Sequence, residues 1–355
     1  MNFFKVLQDT LSNQSITTAI VASLAIILLG FYLRRKGTFT ADTGKVLTHV
    51  ALSVSIPALA FRSFLVDIKK ETFQQGINIL IWGFLIYILL IFVTMPLFAK
   101  FKGNQQDTLR MLSIFGSTTF FGLPIVSAIY GAEGALYGSI FNIGYRVFLY
   151  SYCYIKMSGL KVTKQNLKTM FLNPIVIATF LGLFIWIFQA NLPQVAITAK
   201  NASGQSVVTN YAFLRLDKTA PQLYQILTYL QALASPLAWL AIGSTLGSID
   251  FKQAMSDKVT WYATFVKLLV LPALNLLALV LLTTTHILPV NLVALATTII
   301  MVATPPATVA VAYAINFDKD AILASNFSLL GTVAAVIAAP IWIVVIQIIG
   351  SLGIF

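Results

Sequence analysis

The chain has 355 residues, of which 58% are hydrophobic and only 10% charged, and its mean hydropathy is +0.88. Ordinary soluble domains carry roughly 25% charged residues, so the composition excludes that class and predicts an all-α polytopic membrane protein. The net charge of +12 is scattered over short loops rather than gathered into basic stripes, which points to membrane topology and away from nucleic acid.

Residues 15–33 form an apolar segment followed at once by Arg34-Arg35-Lys36. A cleaved leader carries its charge before the apolar stretch, so this segment is expected to stay as the first span. With about 20 apolar residues needed per crossing, further spans are predicted near 46–66, 74–98, 110–130 and 134–156. Five more follow near 170–190, 223–247, 259–282, 291–315 and 321–346, making ten. The first five fill residues 1–157, a linker covers 158–168, and the second five fill 169–355 with a polar loop near 190–222 that reads as a mobile flap. Asn201-Ala202-Ser203 in that loop fits the glycosylation pattern, which so short a motif also meets by chance.

Charge placement tests this scheme independently. One set of loops holds Arg34, Arg35, Lys36, Lys45, Lys100, Lys102, Arg110, Lys156, Lys161, Lys164, Lys168, Lys252, Lys258 and Lys319. The other holds Lys5, Arg62, Lys69, Lys70, Lys200, Arg215 and Lys218. Fourteen against seven predicts a cell-membrane protein with both termini outside.

Two spans are written like loops at their centres. Ser117-Thr118-Thr119-Phe120-Phe121-Gly122-Leu123-Pro124 interrupts span four, and Ala303-Thr304-Pro305-Pro306-Ala307-Thr308 interrupts span nine. Proline lacks an amide donor and crowds the preceding turn, while glycine releases the backbone from helical geometry. Within a bilayer, freed backbone groups are tolerated only where protein buries them or a polar cavity receives them. Pro57, Pro96 and Pro124 also recur in order as Pro236, Pro272 and Pro305 or Pro306. Because each half holds an odd number of spans, a repeat of this kind must be inverted, as in secondary transporters. The competing account is that membrane-helix prolines align by accident.

Several segments together resemble the auxin efflux carrier family in its bacterial form, which includes malate and malonate permeases and is related in fold to bile-acid sodium symporters. They are Gly30-Phe31-Tyr32-Leu33-Arg34-Arg35-Lys36-Gly37, Pro57-Ala58-Leu59-Ala60-Phe61, Phe120-Phe121-Gly122-Leu123-Pro124, Asn173-Pro174, Ser235-Pro236-Leu237-Ala238 and Pro306-Ala307-Thr308. The resemblance covers nearly the whole chain. It departs where Ser117 and Thr119 stand for the Asn and first Gly of the family's Asn-x-Gly-Phe-x-Gly-x-Pro pattern. It implies a scaffold and a transport domain per protomer, broken spans crossing near the bilayer centre, elevator-like alternating access and a homodimer.

Half-helices beginning after Pro124 and Pro306 are expected to aim amides and positive dipole ends inward, where an anion is favoured. Hydroxyls of Ser117, Thr118, Thr119, Thr304 and Thr308 can add hydrogen bonds, although simple helix capping explains the same residues. Arg146 is the sharpest intramembrane residue: all 11 acids lie in tails, loops or span ends, so it has no counter-ion within the spans. A substrate carboxylate can meet it with paired hydrogen bonds; carbonyls of the broken helices are the alternative partners. Ser139, Asn142 and Arg146 share one helical face, and Asn326 sits in span ten where Asn142 sits in span five. Lys267 is expected to snorkel to the interface, and His49 is either a proton site or structural.

The candidate substrate site is therefore Ser117, Thr118, Thr119, Gly122, Pro124, Asn142, Arg146, Thr304, Pro305, Pro306, Thr308 and Asn326. No metal or other cofactor is implied, because no Cys, His or carboxylate cluster has ligand spacing and Cys153 is the single cysteine. The resemblance and Arg146 point to malate or a related dicarboxylate, carried as a monoanion by uniport or with a co-transported proton. Malonate or an aromatic acid such as auxin are alternatives. A non-transporting membrane receptor lacks an attached signalling domain, and an enzyme lacks a nucleophile with a partnered base.

Overall fold

The computed structural model describes residues 14–40, 42–159, 171–200, 206–247, 256–353 and 355. Most of the 158–168 linker and the Asn201–Ser203 sequon lie outside the described residues. In chain order, α1 is Gln14–Arg35, α2 Thr43–Ser63, α3 Lys70–Leu97, α4 Gly103–Ile114, α5 Thr118–Ser158 and α6 Pro174–Phe188. Strands β1 (Gln194–Lys200) and β2 (Ser206–Ala212) follow, then the short α7 (Leu216–Thr219). The chain continues through α8 Pro221–Gly247, α9 Lys258–Thr284, α10 Leu292–Val302, α11 Thr308–Asn316 and α12 Ala321–Gly350. Among the described residues α2, α3, α5, α8, α9 and α12 are each long and apolar enough to cross a membrane, and α6 and α10 are shorter apolar helices.

The prolines act differently from simple helix breakers. Pro57, Pro124 and Pro272 each follow a π-helical turn, at Ala51–Ser55, Thr118–Gly122 and Val266–Val270. Widening the preceding turn relieves the clash between the proline ring and the earlier carbonyl and accommodates the missing amide donor. Thus α2 and α9 run through their prolines unbroken. In span four the break falls earlier than Pro124, at residues 115–117, between Ile114 and Thr118. The expectation that a half-helix begins after Pro124 is corrected on this point: it begins at Thr118, and Pro124 lies one turn inside it. The second half-helix does begin just past Pro306, at Thr308.

Helix α5 contains the turn between two predicted spans. Gly131 there has φ 59° and ψ −139°, a backbone region open mainly to glycine. The helices pack in pairs, α1 with α8, α2 with α6, α3 with α5, α5 with α10 and α9 with α12.

Among the described residues, the departure from an all-helical chain is the antiparallel β1–β2 hairpin, in register from Gln194 opposite Ala212 to Lys200 opposite Ser206. The polar loop expected as a flap is therefore partly ordered as a sheet. Just beyond it, Arg215 is buried and donates to both carboxylate oxygens of Asp217 at 2.8 Å and to Asp67 at 2.9 Å. Burial disfavours its charge, but these carboxylates outweigh burial and raise its pKa. Arg110, counted above as a loop charge, is instead buried in α4, donating to the Ile91 carbonyl at 3.1 Å.

Candidate functional site

The two interrupted segments meet. Gly116 and Pro306 form an isolated antiparallel bridge, in which the Ser117 amide donates to the Pro305 carbonyl at 2.7 Å and the Ala307 amide to the Phe115 carbonyl at 2.9 Å. Backbone groups released by the two breaks thus satisfy one another, which is what an irregular segment in an apolar medium requires. Four helix ends converge here: α4 and α10 arrive with their carbonyl ends, while α5 and α11 depart with their amide ends. The first amides of both departing helices have no intrahelical partners, and neither Ser117 nor Ala307 caps them through a side chain.

Those amide ends face two adjoining cavities. The smaller, about 120 Å³, is lined by Leu52, Ser117, Thr119, Phe120, Tyr145, Arg146, Leu149, Tyr150, Asn173, Ile175, Ala307, Thr308 and Val309. A single water needs roughly 10–15 Å³ by this measure, so a small anion has room. The larger, about 440 Å³, includes Lys45, Thr48, His49, Ser117, Thr245, Pro305, Pro306, Thr308, Ser328 and Thr332. Leu52, Ser117, Phe120 and Thr308 line both. The linings include Asn173 and Ile175 at the start of α6, the end opposite the one that leads into the hairpin, and Lys45, Thr48 and His49 near the start of α2. On the hairpin side a separate hollow of about 390 Å³ is lined by Asp67, Lys69, Glu133, Arg215, Asp217 and Lys218 among others; it reaches none of the crossing residues.

Arg146 is buried, 8% exposed, and its Nη1 donates to the Thr179 hydroxyl at 3.3 Å. Among the described residues no carboxylate pairs with it. The fold thus brings Arg146, Ser117, Thr119 and Thr308 to one cavity, and Pro305 and Pro306 to its neighbour. Other sequence candidates lie elsewhere. Thr118 donates to Asn142 Oδ1 at 2.6 Å inside the protein, and the Asn142 amide nitrogen is buried without a partner. Gly122 permits close contact with α10, since a Cβ there would stand 2.8 Å from Met301 Sδ. Pro124 is buried in α5, and its carbonyl accepts from Ser235. Thr304 is buried behind the crossing and donates to the Met301 carbonyl. Asn326 is half-buried and lines neither cavity, whereas Ser328 and Thr332 on the same helix do.

Tyr145, Tyr150, Asn173 and Thr179 are site residues that sequence reasoning missed. Tyr150 carried a signal in its four-residue spacing from Arg146, and Asn173 in the Asn173-Pro174 pair at the start of α6, where it caps the helix through Ile175; Tyr145 and Thr179 carried none. Lys267 corrects an expectation: it does not snorkel but is fully buried, within the Val266–Val270 π turn.

These observations define a helical membrane protein whose two interrupted segments meet beside a cavity lined by a buried arginine. The chain belongs to the membrane transport protein family, whose sequence profile matches residues 15–165 and 158–343, and this is the auxin efflux carrier family that the sequence resembles. An uncharacterized transporter of Methanothermobacter thermautotrophicus is 23% identical over 340 residues, covering 93% of this chain and 98% of the relative. An uncharacterized transporter of Methanocaldococcus jannaschii is 23% identical over 174 residues, 46% of this chain and 55% of that relative.

Proposed function

We propose that this chain is a secondary transporter of a small organic anion, and that malate or a related dicarboxylate binds between Arg146 and the amide ends of α5 and α11. The observation that carries this reading is the buried Arg146 guanidinium, without a carboxylate partner among the described residues, on the wall of a cavity shared with both departing half-helices. Malate itself rests on the family resemblance. A second reading, an aromatic carboxylate, is favoured by Phe120, Tyr145 and Tyr150 around the same space.

Alternating access is supported by the placement of the cavities: their linings include Lys45, His49 and Asn173 near the starts of α2 and α6, while the hollow beside Arg215 includes none of the crossing residues. With both termini outside, this state faces the cytoplasm. Ten spans in two inverted halves are supported by pairing, since α1 against α8 and α2 against α6 exchange under the inversion, as do α3 against α5 and α9 against α12. In this scheme α1, α2, α6 and α8 form the scaffold, and the crossing moves with the remaining helices. A homodimer is the assembly the family resemblance implies.

Carrying one negative charge inward against an inside-negative potential costs about 2.3 kcal/mol per 100 mV. A steep substrate gradient or a co-transported proton offsets that cost. Proteoliposomes loaded with labelled malate, malonate and indole-3-acetate test the proposal: saturable flux of one acid is expected, and the absence of saturable flux for every carboxylate offered would overturn it. Imposing voltage and pH gradients separately then distinguishes uniport from proton coupling.

A further inference from the structure

Lys267 has no place in the anion cavity, yet it is fully buried and its Nζ has no hydrogen-bond partner. Among the described residues no carboxylate pairs with it. Its position is specific. A Cβ built on Gly116 would stand 2.9 Å from Lys267 Nζ and 3.4 Å from Cε, and would collide with the Thr304 hydroxyl. Gly116 is one of the two residues of the crossing bridge, so the ammonium lies directly behind the point where the broken segments pair.

The four helix ends at that point differ in sign. The amide ends of α5 and α11 face the cavities through Ser117 and Thr308. The carbonyl ends of α4 and α10 stop at Ile114 and Val302, and helix carbonyl ends concentrate partial negative charge. A cation beside those ends is favoured, whereas an unpaired ammonium elsewhere in an apolar interior is heavily penalised. The placement is also built: Lys267 sits in the Val266–Val270 π turn, and the neighbouring Leu268 carbonyl is held by Trp342 Nε1 at 2.7 Å.

We propose that the rear of the crossing is a monovalent-cation site filled by the chain's own ammonium: Lys267 neutralises the carbonyl ends of α4 and α10, and so holds the bridge in the geometry that presents the opposite amide ends to an anion. Lys267 is a positioning residue, acting on the substrate through the helices. The affinity arm of the test below rests on the organic-anion reading; the stability arm does not.

Shortening Lys267→Ala leaves a hole shaped for propylammonium, and Lys267→Met fills the hole without charge. Melting temperature in detergent is measured for wild type and both variants against propylammonium, with tetramethylammonium as a control that cannot donate hydrogen bonds. Labelled-malate binding is measured alongside, including Lys267→Arg, which keeps the charge. The expected result is a saturable rise in the melting temperature of Lys267→Ala with propylammonium only, and no response from wild type or Lys267→Met. Malate affinity should fall at least tenfold in Lys267→Met and recover in Lys267→Arg. Equal propylammonium responses of Lys267→Ala and wild type, or wild-type malate affinity in folded Lys267→Met, would overturn the inference. If wild type itself binds no malate, the substrate assignment fails and the melting experiment alone decides. If Lys267→Ala folds only when propylammonium is supplied throughout purification, that dependence is itself the rescue.

Discussion

The Ser117 amide reaches the Pro305 carbonyl at 2.7 Å, across nearly two hundred residues of sequence, and the reciprocal bond from Ala307 to Phe115 closes the bridge. Two interruptions that look like separate defects in separate helices are thus one structure, with each supplying the partners that the other lacks. Its tolerance is small. In Gly116→Ala the new methyl would collide with Thr304 and press on Lys267. Overpacking typically costs about 1–3 kcal/mol, and here it falls on the bridge itself. The expected outcome is a lowered melting temperature together with loss of transport in proteoliposomes, whereas Gly37→Ala, at a loop position with open space around it but a φ of +83°, should lower the melting temperature through backbone strain alone and leave transport intact.

Arg146 should matter through its charge-assisted bonds more than through packing. A hydrogen bond to a charged group is worth about 1.5–3 kcal/mol, so Arg146→Ala is expected to weaken anion binding roughly 10- to 150-fold. Arg146→Lys keeps the charge but cannot make two parallel bonds, and should fall between. Thr179→Val removes the hydroxyl that Arg146 Nη1 engages at 3.3 Å and should raise the KM several-fold with little change in folding. Binding isotherms on purified protein separate these cases, and unchanged affinity in folded Arg146→Ala would remove this residue from the site.

Charge scarcity, apolar runs and the paired prolines made the helical membrane class and the two interruptions legible in the sequence. Arg146 stood out because span interiors held no acid to meet it. Other features depended on three-dimensional packing. Pro124 marked the right neighbourhood but the wrong residue, because a π turn absorbs the proline and the chain leaves helical geometry at residues 115–117. Lys267 looked close enough to the interface to snorkel, but in the folded chain it is fully buried, within the π turn at Val266–Val270. Ser328, Thr332 and Thr179 gave no distinct signal, since ordinary polar residues in apolar helices serve hydrogen bonding between helices equally well. The hairpin could have been found: Val195, Ile197 and Thr198, then Val207, Val208 and Thr209, are β-branched strand formers on either side of the Asn201-Ala202-Ser203-Gly204 stretch.

The larger cavity has a basic mouth. Lys45 lines it and is largely exposed, paired with Asp42 at 3.2 Å. An exposed pair of this kind adds little to stability, but its field acts on an approaching anion. Lys45→Glu is expected to raise the KM several-fold at low ionic strength while leaving the maximal rate nearly unchanged. The effect should shrink as salt is raised, because charges farther apart than about 8 Å are largely screened at physiological ionic strength. Transport assays with substrate on the cavity side, repeated at two salt concentrations, measure both. A salt-independent change would place Lys45 in direct contact with the substrate.

On the opposite side, Arg215 ties the end of the hairpin to the loop before α3. Its guanidinium is 1% exposed, and it meets Asp217, itself 10% exposed, and Asp67, 64% exposed. These exposures separate two outcomes. Arg215→Ala leaves the mostly buried Asp217 carboxylate with only Lys218, 4.0 Å away, and breaking a buried pair from one side costs up to about 3–5 kcal/mol. Asp67→Asn removes only the wetter partner, and exposed pairs are worth about 0–1 kcal/mol. If the network holds the hairpin to the bundle, the cost should appear as local opening: hydrogen-exchange protection across 206–212 is expected to drop by two or more orders of magnitude in Arg215→Ala, since about 1.4 kcal/mol corresponds to tenfold. Asp67→Asn should change it by less than about tenfold. Protection lost equally in both variants would mean that the Asp67 contact, rather than the buried Asp217 pair, anchors the segment.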